Sequence, residues 1–274
     1  MSTAEPTPSP IPKRPASPKS QGTETQNPLR DENQGYDTSR PHPKPSYPRP
    51  KLRLRIEDLS HSGSSTFLSN CNASTALSSA VESVLSTLYL PTRSNSHIPG
   101  TRSVTVILEP LGGVAYTTGT QLDDDHKEIH FSLDYINQIL EDRKVKEIQG
   151  VLVHEMVHCW QWNAKGTCPG GLIEGIADYV RLRAGLDPPH WKRPTKGKDE
   201  DASAHRWDAG YEKTGFFLDW LEDEHGEGTV RRINAFLREN EYDEKRFWKA
   251  LFGENVEGLW KRYFDTWKKE DDTT

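Results

Sequence analysis

Apolar and polar positions alternate from Leu52, with Leu54 and Ile56 separated by Arg53 and Arg55, and this two-residue period predicts a half-buried strand. Between Ala73 and Leu90 the period lengthens, and Leu77, Val81, Val84, Leu85 and Leu88 fall on one face of a helix. Val104-Thr105-Val106-Ile107-Leu108 reads as a buried strand. Gly112 to Thr117 and Glu128 to Ser132 read as two more, with the acidic run Asp123-Asp124-Asp125 as a turn between them. Beyond Val145 the spacing is helical almost to the end, broken by a polar loop from Asp187 to Ala202. No internal repeat is present. A mixed β-sheet in the N-terminal half followed by a helical C-terminal half predicts an α+β fold.

The first 50 residues do not share these patterns. They hold 12 of the 19 prolines, and Ile11 and Leu29 are almost their only large aliphatic side chains. Such a segment cannot bury enough apolar surface to offset the entropy of ordering it. A disordered proline-rich tail over residues 1–50 is therefore expected ahead of one domain over 51–270. The run Arg40 to Pro50 favours polyproline II, which suits either a solvated spacer or a ligand for an SH3-type groove.

Charge and hydropathy remove several classes of function. A net charge of -6 and a pI near 6.0 argue against a general nucleic-acid binder. No apolar run approaches the 18 or so residues of a membrane span, so no membrane partner is expected. The start, Met1 to Pro6, is polar and lacks the apolar core of a secretory signal. Three cysteines, Cys71, Cys159 and Cys168, do not make a disulfide framework. Both features favour an intracellular setting, in which the sequon Asn72-Ala73-Ser74 would go unused.

Candidate chemistry lies in the segment Val153-His154-Glu155-Met156-Val157-His158. On a helix, residues four apart share a face, so His154 and His158 can reach one metal ion with Glu155 beside them. Val145, Ile148, Leu152, Met156 and Cys159 cluster on the opposite side, which supports the helix. The bland alternative is two satisfied core histidines. A second helical segment, Leu172 to Arg181, carries Glu174 and Asp178 four apart on one face. Stacked carboxylates repel unless something positive is near. A zinc ion with Glu174 as third ligand, and Asp178 bonded to the free nitrogen of a ligand histidine, resolves that conflict. Otherwise Asp178 pairs with Arg181 and Glu174 faces water. The Glu-x-x-x-Asp helix after His-Glu-x-x-His resembles the gluzincin arrangement of thermolysin-like proteases.

The run from His154 through Gln161-Trp162-Asn163, then Pro169-Gly170-Gly171-Leu172-Ile173-Glu174-Gly175-Ile176-Ala177-Asp178-Tyr179, resembles the plant basic secretory protein family, which also has fungal members. Gly113-Val114-Ala115-Tyr116, Glu128-Ile129-His130, His190-Trp191 and Arg206-Trp207-Asp208 extend the likeness over roughly Leu52 to Trp267. The resemblance implies a zincin-like metallopeptidase domain with zinc on His154, His158 and Glu174, and Glu155 as the catalytic glutamate. The acidic balance, the missing signal and the long proline-rich leader depart from a family whose members are typically basic and secreted.

A peptidase of this kind needs a donor for the oxyanion besides the metal. Tyr211 is the first choice, because a phenol donates without carrying charge, and His205 is the fallback. Tyr211 could equally be packed beside Trp207. A substrate peptide would add to a sheet edge, with Glu128 to Ser132 as the first candidate and Gly113 to Thr117 the second. Trp160 and Trp162 read as core aromatics more readily than as cleft walls, and Cys159 and Cys168 as structural thiols. The leading expectation is a zinc-dependent peptidase with Glu155 as general base and peptides or proteins as substrates. The alternative is a zinc-stabilised domain that binds peptides or proteins without cleaving them, and a third reading places the function in the tail.

Overall fold

The computed structural model describes residues 46–91, 97–193 and 206–269. The expected tail lies outside them up to residue 45. Among the described residues the chain forms a four-stranded mixed sheet and a set of helices, an α+β arrangement.

The sheet order is β1 (Lys51–Ile56), β2 (Ser103–Glu109), β4 (Asp123–Ser132), β3 (Ala115–Thr120). β1, β2 and β4 run parallel, and β3 pairs antiparallel with β4. Registers Leu54↔Val106 and Val106↔Ile129 put the apolar positions of three strands on one face. Val104, Val106, Leu108, Ile129 and Phe131 are all fully buried there. The other face carries Arg53, Arg55, Glu109, Glu128 and His130, flanking the buried Ile107.

Two helices follow β1: α1 (Ser62–Asn70) and α2 (Ala73–Leu88). Asn72 caps α2 by accepting from the Thr75 amide, and Leu77, Val81, Val84, Leu85 and Leu88 are buried as the spacing predicts. After β4 come α3 (Leu133–Gln138) and α4 (Lys144–His158), the helix that carries the histidines. The remaining helices are α5 (Gly170–Arg183), α6 (Tyr211–His225), α7 (Thr229–Glu239), α8 (Glu244–Phe252) and α9 (Val256–Lys269). Rings from α6, α8 and α9 form the far end of the core, where Phe217 meets Trp248, Trp260 and Tyr263 at 5.1–5.9 Å between centroids.

Several expectations need correction. Asp123-Asp124-Asp125 is the start of β4, and the turn falls at Gln121 and Leu122. The three carboxylates stay extended because Arg102 pairs with Asp123 and Asp125 while Lys127 reaches Asp124 at 2.7 Å. β4 is an interior strand, so Glu128 to Ser132 offers no edge; the edge strands are β1 and β3. Val145 is exposed, because it precedes Glu147, the first residue of α4 to enter the core. The serine-rich α1 and the short α3 lack a periodic apolar pattern. They hold each other instead, with Gly63 against the backbone of Leu133 so closely that a β-carbon would lie 2.2 Å from its carbonyl oxygen.

Candidate metal centre and active site

One stripe of α4, formed by Glu147, Val151, His154 and His158, faces a cleft of about 980 Å³. α5 crosses beside it and turns Glu174, Asp178 and Arg181 toward that stripe. α5 starts at Gly170, where the Pro169 carbonyl accepts from the Leu172 and Ile173 amides. Its close neighbour is α6. A β-carbon on Gly175 would meet the Thr214 side chain at 2.3 Å, and one on Gly215 would meet Asp178 at 3.2 Å. Thr214 donates to the Trp207 carbonyl at 2.7 Å and accepts from the Gly210 amide at 3.0 Å. This sets the sharp entry into α6, where Gly210 and Tyr211 both adopt positive φ, 85° and 49°.

The result is a tight group of side chains. His154 Nε2 lies 3.1 Å from Glu174 Oε2, and His158 Nε2 lies 3.8 Å from the same oxygen. One ligand atom from each of the three residues falls within 4.8 Å of the others. A tetrahedral zinc ion with ligands at about 2.0–2.2 Å sets them roughly 3.4 Å apart, and the two separations to Glu174 Oε2, 3.1 and 3.8 Å, lie close to that spacing. Two imidazoles and one carboxylate also match the chemistry of a zinc site with an open fourth position. His154 Nδ1 meets Asp178 Oδ1 at 2.6 Å. Asp178 therefore does not pair with Arg181, whose guanidinium donates to Glu147 at 2.9 Å.

Glu155 lines the same cleft on the side of the sheet. Its Oε2 accepts from the Thr117 hydroxyl of β3 at 2.7 Å, and it is buried. Tyr211 lines the cleft with its ring 6.3 Å from that of His154 and nearly parallel to it. It remains 57% exposed, so it is not packed beside Trp207, which instead meets Trp248 at 5.0 Å. His205 lies outside the described residues. Trp160 is fully buried, and Trp162 donates to the His97 carbonyl at 3.3 Å. Cys159 is buried and Cys168 borders the cleft, both as free thiols.

The sequence pattern of a family described as "Peptidase of plants and bacteria" matches residues 49–263. The chain belongs to that family, the basic secretory protein peptidases. No curated protein and no solved structure matches the chain.

In this family member several ionisable groups that line the cleft are shifted from their ordinary values. Burial disfavours charge on His154, but hydrogen bonds to Asp178 and Glu174 outweigh it and push the pKa up to about 9. His158, buried and beside the charge of His154, is lowered to about 4. Burial raises Glu155, against the opposing pull of His154 and the Thr117 hydroxyl. Glu174 is lowered: its burial works the other way but yields to the hydrogen bond and charges of the imidazoles. The Glu174 charge raises Tyr211, which keeps the phenol protonated.

Sequence reasoning passed over three contributors to this site. Thr117 grips Glu155, Gln161 sits 2.6 Å from His158 Nδ1, and Arg181 crosses α4 at Gly150. Only the last left a signal, because a glycine inside a buried helix costs about 1 kcal/mol relative to alanine and asks for a reason.

Proposed function

We propose that the protein is a zinc-dependent peptidase of zincin type, with His154, His158 and Glu174 as the zinc ligands. The reading is carried by one observation: Glu174 Oε2 stands 3.1 and 3.8 Å from the two Nε2 atoms of a His-Glu-x-x-His helix. When bound, zinc supplies a Lewis acid that polarises a carbonyl and lowers the pKa of a water toward about 7. Everything else falls to the chain's own residues. Glu155, held by Thr117, accepts the proton of the attacking water as its oxygen bonds to the scissile carbonyl carbon. The same carboxyl then gives that proton to the departing amine as the C–N bond breaks. The Tyr211 phenol donates to the oxyanion. Asp178 accepts from His154 Nδ1–H, which leaves Nε2 free to act as a ligand. A domain that used zinc only for stability would have no need of a buried carboxylate at position 155.

The substrate backbone adds to β3, the edge strand that borders the cleft through Ala115, Tyr116 and Thr117. From Glu147 to His158 the floor of the cleft spans about 17 Å at 1.5 Å per helical residue, room for about five residues of extended peptide. The cleft continues past His154 in both directions, to Glu147 and Arg181 on one side and Gln161 and Asn163 on the other. That shape favours cleavage within a chain over removal of terminal residues. Metal analysis joined to a peptide-library digest tests the proposal. The native chain should hold one zinc and cleave internal bonds, whereas His158→Ala should lose both; stoichiometric zinc in that variant would refute the ligand set.

A further inference from the structure

We infer that Gln161 is a positioning residue for the metal centre, fixing the ring orientation and tautomer of His158 through its amide oxygen. The inference rests on the zinc reading of the site. Gln161 sits just past α4, with its amide donating to the Val157 carbonyl at 2.8 Å. The backbone around it is tied on three sides. The Cys159 carbonyl accepts from the Thr101 hydroxyl at 2.7 Å, the Trp160 carbonyl from the Tyr89 hydroxyl, and the Trp162 amide donates to Asn234 Oδ1 at 2.9 Å. Trp160 between them is fully buried. The side chain is thereby aimed back at the helix, where its amide nitrogen Nε2 lies 2.6 Å from His158 Nδ1.

The other end of that amide, Oε1, is buried and has no partner. Burying a polar atom without a partner is unfavourable, and methionine or leucine would fill the same space without that cost. The contact at Nδ1 is what offsets it. Amide nitrogen and oxygen exchange places by a half-turn of the group, and the two orientations have opposite consequences. With nitrogen toward the ring, as it stands in this structure, Nδ1 accepts and the ring proton sits on Nε2, the atom directed at Glu174; the ligand role of His158 calls for the half-turn. With oxygen toward the ring, Nδ1–H donates and Nε2 presents its lone pair. Only the second lets His158 serve as a ligand, and it gives His158 what Asp178 gives His154. The two histidines are thus held by different partners, a charged carboxylate from α5 and a neutral amide from the end of their own helix.

The test compares native chain, Gln161→Met and Gln161→Glu. Zinc dissociation constants come from competition with a chromophoric chelator, and the imidazole N–H signals of the zinc-loaded forms from ¹⁵N-resolved proton spectra. Met keeps the volume but accepts hydrogen bonds poorly, so zinc affinity should fall about 10- to 100-fold with the fold unchanged. Glu accepts as the amide oxygen does, so it should bind zinc within a few-fold of native or more tightly. Native protein should show a protected Nδ1 proton on His158. Native-like affinity in Gln161→Met, or a loss in Gln161→Glu as large as in Met, would overturn the inference while leaving the ligand set standing. If Gln161→Met does not fold, the Glu variant and the Nδ1 signal decide it, and an unprotected Nδ1 counts against. Failure of the native chain to bind zinc sinks the metal-centre reading and this inference with it.

Discussion

The guanidinium of Arg181 occupies the space that a side chain at Gly150 would need: a β-carbon there would lie 2.6 Å from its Nε. Arg181 cannot easily move aside, because it donates to Glu147 at 2.9 Å and to the Leu186 carbonyl at 3.0 Å. Helix α4 therefore keeps a glycine where intrinsic propensity prefers alanine. Gly150→Ala should destabilise the fold by about 1–3 kcal/mol through overpacking, against a propensity gain of about 1 kcal/mol. Equilibrium denaturation measures the balance, and a stabilised variant would show that Arg181 has room to yield.

Glu155→Gln separates binding from chemistry. The amide preserves shape and can still meet Thr117, but it cannot take a proton. Zinc content and melting temperature should stay native, and peptide turnover should fall by about 10²–10⁴-fold. Surviving cleavage would move the proton shuttle to another group.

Metal uptake should be coupled to pH through His154. Its pKa of about 9 leaves it protonated at pH 7 without metal, and a ligand imidazole is neutral, so binding at pH 7 should release about one proton. His158, at about 4, is already neutral there and releases none. Calorimetry in buffers of different ionisation enthalpy counts the protons, and the release should vanish as pH rises past about 9. The same charge stabilises the metal-free fold. That contribution is full below the unfolded pKa near 6.5 and is lost as pH rises through about 9. Asp178→Asn should therefore flatten the alkaline limb of metal-free stability.

Tyr211→Phe should lower kcat by about 10²–10³-fold with KM and zinc content little changed, as loss of one oxyanion donor does. An unaltered rate would return that role to another group. The expectation depends on the phenol staying protonated, which the nearby charge of Glu174 favours.

The trio of His154, His158 and Glu174 was legible because helical spacing converts directly into a shared face. Two helices packed side by side need few assumptions to bring those faces together. Thr117 was not legible, because its place depends on strand order. β2 and β4 pair in parallel with β3 set outside them, and alternation along a strand says nothing of which neighbour it takes. The acidic start of β4 misled for a local reason: its charges look like a turn until Arg102 and Lys127 are seen beside them. Gln161 lies past the end of α4, where no period applies. Phe67 and Leu68 alone gave α1 no apolar period; its geometry rests on the burial of Phe67, on the His61 ring capping the Gly63 amide and on close contact with α3.

In the proposed mechanism, the hydroxyl that steadies the general base grows from the same strand to which an incoming peptide would add. Docking and proton transfer would thus share a mechanical part. Recutting that rim to admit a different sequence would disturb the proton acceptor as well, so selectivity and speed in this enzyme should resist being tuned one without the other.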